Sequence, residues 1–178
     1  MSGQPSRRAW GWHPLRDHWA RRVVDASPVA PGDLVLDLGA GTGALTEPLL
    51  DAGARVIAVE LHPRRAAQLR ERYADRPVTV VRTDLAGLRL PRRPFRVVAS
   101  PPYQLSTSVL RLLLGTDRLL SADLVLQRTA ARRLAGSPPR ARHARRYQLE
   151  VGMPVPRSAF APPPQVDSAV LRVRATRP

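Results

Sequence analysis

Ser100-Pro101-Pro102-Tyr103 sets a hydroxyl, two consecutive prolines and an aromatic ring just past an apolar run, Phe95 to Ala99. Residues that precede proline are held in extended backbone, so the pair stiffens the chain at this point. Proline offers no N–H to a neighbouring carbonyl. The product is a rigid row of acceptors beside a ring. A planar base with an exocyclic amine fits such a slot: its N–H donors reach the Ser100 hydroxyl and the Pro101 carbonyl, and its face stacks on Tyr103.

A second set of residues describes a cofactor cradle. Leu34 to Leu38 is an apolar run carrying one acid, Asp37, and is followed by Gly39, Gly41 and Gly43. An apolar strand, a glycine turn and then a helix over residues 44–52 form the first unit of a parallel α/β sheet. Glycines there admit left-handed backbone and let a ligand approach closely, and a helix start adds free N–H donors. The glycines also fit G-x-G-x-x-A, a weak dinucleotide fingerprint with Ala44 as its last small residue. Two further acids narrow the choice. Arg55 to Glu60 is a second strand ending in a carboxylate, and Val78 to Arg82 is a third, followed by Asp84. Glu60 suits a ribose diol. Asp84 is one acid more than a dinucleotide needs, and it suits an exposed adenine amine.

These residues need a scaffold, and the remaining pattern supplies one. Asp17 to Ala26 reads as a helix with Trp19, Val23 and Ala26 on one stripe. Arg64 to Tyr73 reads as a helix with a solvated, Arg-rich face, and Ser106 to Leu114 as one with Val109, Leu112 and Leu113 inward. Strands are expected over Phe95–Ala99, Asp123–Gln127, Tyr147–Val155 and Ala169–Val173. Strands alternating with helices predict an α/β sheet, mostly parallel.

Composition points to the partner. Within 178 residues there are 29 basic side chains against 14 acidic ones, a formal net charge of +15, and every basic residue counted is Arg. Arg binds phosphate in a bidentate way and stacks on bases, so a polyanion, nucleic acid first, is the expected partner. Arg128, Arg132, Arg133, Arg140, Arg142, Arg145 and Arg146 form a run without an acid and are the expected phosphate-binding patch, with Arg7 and Arg8 on an N-terminal arm. No stretch is apolar enough to span a bilayer and no secretory signal is evident, so a cytoplasmic protein without membrane contact is expected. With no cysteine there is no disulfide or thiolate chemistry. No metal is expected, and the chain is expected to be a monomer.

The glycines followed by acids on the next two strands resemble the class I S-adenosylmethionine methyltransferases. That resemblance implies a Rossmann-like fold with a seven-stranded, mostly parallel sheet and helices on both faces. It implies that Asp37, Gly39 and Gly41 shape the methionine pocket, that Glu60 with Leu61 holds the ribose, and that Asp84 with Leu85 meets the adenine. Ser100 to Tyr103 matches the [D/N/S]-P-P-[Y/F] motif of amino-group methyltransferases. Phe160-Ala-Pro-Pro-Pro-Gln-Val-Asp-Ser-Ala-Val resembles, more specifically, the adenine N6-methyltransferases of ribosomal RNA, the group of the Erm resistance methylases and the KsgA-type small-subunit dimethyltransferases. The likeness spans residues 23–173. It implies S-adenosylmethionine as cofactor, Ser100, Pro101, Tyr103 and Phe160 as catalytic residues, and Phe160 closing on the target adenine opposite Tyr103.

The sequence departs from that group in three ways. Trp12-His13-Pro14-Leu15 stands near where the group has Q-N-F-L, so His13 and Leu15 are the replacements expected to touch the cofactor. Ser100 stands where ribosomal RNA methylases usually have Asn. The small helical C-terminal domain of the group has no counterpart in residues 1–178, and the expected division is an arm over residues 1–22 and a catalytic domain over 23–178. The Arg-rich composition and the proline pair look more like Erm proteins, so the expected activity is N6 methylation of an adenine in 23S ribosomal RNA, with macrolide-lincosamide-streptogramin resistance as its outcome. The alternatives are a small-subunit enzyme of KsgA type and a degenerate methylase that binds RNA without chemistry. A nicotinamide-dependent oxidoreductase is disfavoured by the proline slot and the charge.

Overall fold

A computed structural model describes residues 12–176; Arg7 and Arg8 of the expected arm lie outside them. Among the described residues seven strands form one sheet in the order β3-β2-β1-β4-β5-β7-β6. They are β1 (Leu34–Leu38), β2 (Arg55–Val59), β3 (Val78–Val81), β4 (Phe95–Ala99), β5 (Leu119–Gln127), β6 (Tyr147–Val155) and β7 (Ser168–Ala175). The pairs from β3 through β5 are parallel, while β7 is antiparallel to both neighbours. The last hairpin is therefore interlocked: β7 enters between β5 and the strand that precedes it in the chain.

The helices follow from which face each strand residue presents. Leu36, Leu38, Val97, Ala99, Leu124 and Leu126 belong to one core, shared with Val109, Leu110 and Leu113 of α4 (Ser106–Leu113) and Leu134 of α5 (Arg128–Gly136). Val35, Val98, Val125 and Val170 belong to the other. There they meet Ala20, Val23 and Val24 of α1 (Asp17–Asp25), Leu49 of α2 (Thr46–Asp51) and Leu69 of α3 (Pro63–Arg72). Alternate residues of one strand thus face opposite layers, as the pleat requires. A last short helix, α6, spans Ala141–Ala144.

Several element boundaries differ from expectation. The crossover helix starts at Thr46 rather than Ala44, because Gly41 and Gly43 hold φ of +59° and +97° and keep the chain in turns until then. In α1 the buried stripe is Ala20, Val23 and Val24. Ala26 is exposed, and Trp19 carries Arg22 over its ring at 4.3 Å. In α4, Leu110 is buried and Leu112 only partly so. The expected arm boundary at 22/23 falls inside α1, which packs on the sheet.

Upstream of α1 the chain is strapped to the β6–β7 connector. Leu15 bridges Phe160, the Arg16 amide donates to the Ala159 carbonyl at 2.8 Å, and the Ala161 amide donates to the Pro14 carbonyl at 3.0 Å. The hydrophobic side chains of Leu15 and Phe160 are both buried in this strap.

Candidate active site

Crossovers run from β1 to β2 and β3 on one side, and the chain then returns to place β4 on the other side of β1. Ligands bind in such a sheet at the carboxyl ends of the strands that flank the reversal. Gly39 follows β1 and Ser100 follows β4, so the cradle and the base slot meet at this point. They meet closely: a Cβ added at Gly39, whose φ is +78°, would lie 3.3 Å from Pro102 Cδ.

The cradle is held in shape by Glu60. This buried carboxylate accepts the Gly41 amide at 2.7 Å on Oε2 and the His62 amide at 2.9 Å on Oε1. Arg65 lies 3.6 Å from the same Oε1, and its guanidinium sits 4.5 Å from the Trp12 ring centre. Trp12 in turn covers the glycine turn, since a Cβ on Gly41 would come within 2.7 Å of its Nε1. Arg65 is therefore part of the site wall, not of a solvated helix face as its sequence neighbours suggest. Burial draws its pKa down and Glu60 opposes this.

Asp37 faces the α1–α2 layer. It is buried and accepts the Thr46 hydroxyl at 2.7 Å. Burial pushes its pKa up to about 7; the Thr46 hydrogen bond lowers it and Glu60 adds to the rise. Asp84 is exposed and turns Oδ1 to the Gly87 amide at 2.6 Å.

Two adjoining cavities open here. The larger, of 170 Å³, is lined by Glu60, Leu61, Asp84, Leu85, Pro101 and Tyr103 among others. The smaller, of 30 Å³, is lined by Asp37, Leu15, Ala40 and Thr42. Trp12, His13, Gly39 and Ser100 line both. The expected cofactor residues are thus brought together in one groove, acids for a ribose and an adenine at one end and Asp37 at the other, with the Ser100 hydroxyl at the junction. Such a groove fits an elongated adenosyl amino acid: the glycine turn lets Trp12 and Pro102 close in around it, and the carboxylates match the hydroxyl and amine donors of that ligand.

Beside the junction, Tyr103 is half-buried, and its hydroxyl bonds Ser168 Oγ at 2.8 Å. Burial raises its pKa and the Ser168 contact lowers it. The ring facing Tyr103 is His13, with centroids 6.1 Å apart and planes inclined by 18°. Phe160 is not there. It is 1% exposed, packed in the α1–α2 core, and lines neither cavity. Its backbone pairs with Leu15, and both side chains are packed in the core.

The structure also divides the Arg run. Arg128 begins α5 at the carboxyl edge of β5, and Arg133 donates to Thr107 Oγ1 at 3.2 Å, at the start of α4. By Tyr147 the chain has reached the opposite edge, where β6 starts beside Ala175, the end of β7. Arg142, His143 and Arg146 there line a shallow groove with Thr116. Arg128 and Arg133 lie at the site edge, and Arg132 is exposed on the same helix. Arg140, Arg142, Arg145 and Arg146 do not lie there, so the expected single patch beside the base slot is two surfaces. Among the described residues no cluster of three or more His, Asp or Glu is placed to hold a metal ion, and no helix is long and apolar enough to cross a membrane.

Trp12, Thr46, Arg65 and Ser168 are site residues that the sequence reading did not single out for these contacts. Ser168 lay within the phrase that carried the family likeness, but nothing in the phrase tells that its hydroxyl would meet Tyr103.

A family model described as ribosomal RNA adenine dimethylase matches residues 7–178. The chain belongs to the ribosomal RNA adenine dimethylase family. It is 34% identical to the ribosomal RNA small subunit methyltransferase A of Cupriavidus metallidurans over 96% of this chain and 66% of that protein. It is 35% identical to an rRNA adenine N-6-methyltransferase of Corynebacterium diphtheriae over 85% of this chain and 61% of that one. The crystal structure of the 23S rRNA methyltransferase ErmE superposes with a TM-score of 0.82 at 31% identity, covering 92% of this chain and 70% of that chain. This dimethylase-family chain therefore spans about two thirds of the length of these curated relatives. Its fold is the Rossmann-like class I S-adenosylmethionine methyltransferase fold, a mostly parallel seven-stranded sheet with helices on both faces.

Proposed function

We propose that this protein transfers methyl groups from S-adenosylmethionine to the N6 amine of an adenine in ribosomal RNA. The observation that carries the reading is the Ser100-Pro101-Pro102-Tyr103 slot at the junction of the two cavities, with Tyr103 pinned by Ser168. The cofactor supplies an electrophilic methyl on a sulfonium. Glu60, Leu61, Asp84 and Leu85 hold its adenosine end, and Asp37, Gly39, Gly41 and Leu15 its amino-acid end.

The chain's own work is positioning. The lone pair of an adenine amine is delocalised into the ring and is a poor nucleophile. Acceptance of its two N–H groups by the Ser100 hydroxyl and the Pro101 carbonyl turns that lone pair out of the ring plane and aims it along the groove. Stacking on Tyr103 fixes the base. Holding two reactants in register in this way supplies most of the acceleration, together with the dipoles aimed at the amine. No strong general base is required, since the amine proton becomes acidic once the nitrogen is alkylated. The adenine leaves its stack to enter, which is easiest from a loop. Arg128, Arg132 and Arg133 border the entrance and meet the flanking phosphates.

As to which RNA, the likeness to small-subunit methyltransferases supports a small-subunit adenine ahead of the 23S target expected from the Arg-rich composition and the proline pair. The ErmE superposition supports the 23S reading as the second one. Transfer of tritiated methyl to protein-free small- and large-subunit ribosomal RNA, with mapping of the modified base, tests both. Label at one adenine N6 is expected. Label elsewhere, or none with either RNA or with assembled subunits, overturns the proposal.

A further inference from the structure

We propose that His13 is the second face of the target-base slot, so that the adenine is clamped between the imidazole of His13 and the ring of Tyr103. This rests on the adenine-N6 reading above, and it assigns to a residue of the N-terminal strap the role that the family resemblance gave to Phe160.

Three observations converge on it. The two rings are nearly parallel, at 18°, with centroids 6.1 Å apart, at the mouth of the cavity that holds Ser100 and Pro101. A base sandwiched between two rings spreads them to about 7 Å, twice the roughly 3.4 Å rise between stacked bases. Offset rings in mutual contact have centroids about 4.5–7 Å apart, so the entering base slides between an offset pair already near its final spacing and moves the centroids apart by about an ångström. Second, both rings are fixed from behind, one by the first residue of β7 and the other by the connector that leads into it. Tyr103 bonds Ser168 at 2.8 Å, and His13 Nδ1 lies 3.0 Å from the Pro162 carbonyl oxygen. A carbonyl only accepts, so Nδ1 carries the hydrogen and the imidazole is held in one tautomer and one orientation. Third, the residue expected in this position is elsewhere: Phe160 is enclosed in the core by its pairing with Leu15.

The Leu15–Phe160 bridge explains how the two facts are one. In an antiparallel pairing of residue 15 with residue 160, residue 13 falls opposite residue 162, which is where the imidazole finds its carbonyl. Residues 12–15, Trp-His-Pro-Leu, therefore act as a unit. Leu15 anchors the strap in the core, Trp12 covers the glycine turn, and His13 faces the incoming base.

The test separates base stacking from cofactor contact. An RNA hairpin carrying 2-aminopurine at the methylated position is titrated with the full chain, and its fluorescence quench is compared for wild type, His13→Ala, His13→Phe and Phe160→Leu. S-adenosylhomocysteine affinity is measured in parallel by calorimetry. His13→Ala is expected to lose most of the quench and to lower kcat/KM for RNA by about tenfold or more, the worth of one stacked base. Its cofactor affinity is expected to fall by a much smaller factor than kcat/KM, since His13 also lines the cofactor groove, and His13→Phe to restore both quench and turnover. Wild-type turnover with an unaffected His13→Ala overturns the clamp while leaving the methylation reading intact, as does a fall in cofactor affinity that accounts for the loss. Quench lost in Phe160→Leu and kept in His13→Ala likewise overturns it. Absence of methyl transfer to any RNA by the wild type is the separate failure, that of the reading beneath.

Discussion

The Tyr103 hydroxyl and the Ser168 hydroxyl lie 2.8 Å apart although 65 positions separate them in the chain. One closes the proline motif after β4. The other opens β7, where the register sets Ser168 beside Gln127 of β5 and Val155 of β6. The hydrogen bond ties the aromatic face of the slot to the hairpin that finishes the sheet.

Removing that tie should loosen the ring without touching the cofactor groove. Ser168→Ala and Tyr103→Phe are each expected to cost about 1 kcal/mol of stability, the net worth of one buried hydrogen bond. Each should lower kcat for RNA several-fold more than it alters cofactor affinity. Single-turnover methylation alongside calorimetry checks this. Equal loss in both would place Tyr103 in the cofactor site instead.

Gly39 is the wall between cradle and slot. Gly39→Ala forces a side chain into left-handed backbone, which costs about 1–2 kcal/mol, and it drives a methyl toward Pro102. The expected outcome is a lowered melting temperature, weaker S-adenosylhomocysteine binding and poorer methyl transfer together. A variant that keeps full affinity would show that Pro102 moves aside.

Asp37 gives the protein a pH signature. Its carboxyl is raised from 3.8 to about 7 in the folded chain, first by burial. Between those values the unfolded chain has lost a proton that the folded chain retains, so stability of the cofactor-free protein falls as pH rises from about 4 to 7. By pH 8 the cost is on the order of 4 kcal/mol. Asp37→Asn should flatten this part of the stability curve in urea unfolding at several pH values. A ligand ammonium beside Asp37 favours the ionised form, so wild-type affinity for S-adenosylhomocysteine should rise with pH up to about 7 and that of Asp37→Asn should not.

Asp123 is a buried acid outside the site. It is 1% exposed, accepts Arg174 at 2.8 Å on Oδ1, and has no partner on Oδ2. Burial raises its pKa against the pull of Arg174. Arg174→Met strands this carboxylate and is expected to destabilise by about 3–5 kcal/mol, while Asp123→Val with Arg174→Met recovers most of the loss. Thermal unfolding of the single and double variants decides it; additive losses would mean that the pair is not coupled.

Much of this site is local in sequence and was legible there. A strand, a glycine turn and acids at the ends of the next strands fix Asp37, Gly39, Glu60 and Asp84 within a few residues of their strand ends, and the proline pair shapes its own backbone. What sequence did not disclose depends on long-range register. The inward turn of Phe160 follows from pairing with Leu15, about 145 residues earlier. The division of the Arg run follows from α5 carrying the chain from one sheet edge to the other, a distance that a charge count does not see. Arg65 looked solvated because its neighbours Arg64 and Arg70 are; its contact with Glu60 depends on how α3 lies on the groove.

The interlocked hairpin has a consequence for how the protein is made. Because β7 lies between β5 and β6, a chain emerging from the ribosome holds β6 without a partner and leaves the β5 edge open until β7 has emerged. The same strand brings Ser168 to Tyr103, so the two hydroxyls meet only after β7 has joined the sheet. A chain built this way ties the ring of Tyr103 in place only after translation has run past residue 168, and until then it is a sheet with an unpaired edge in need of protection.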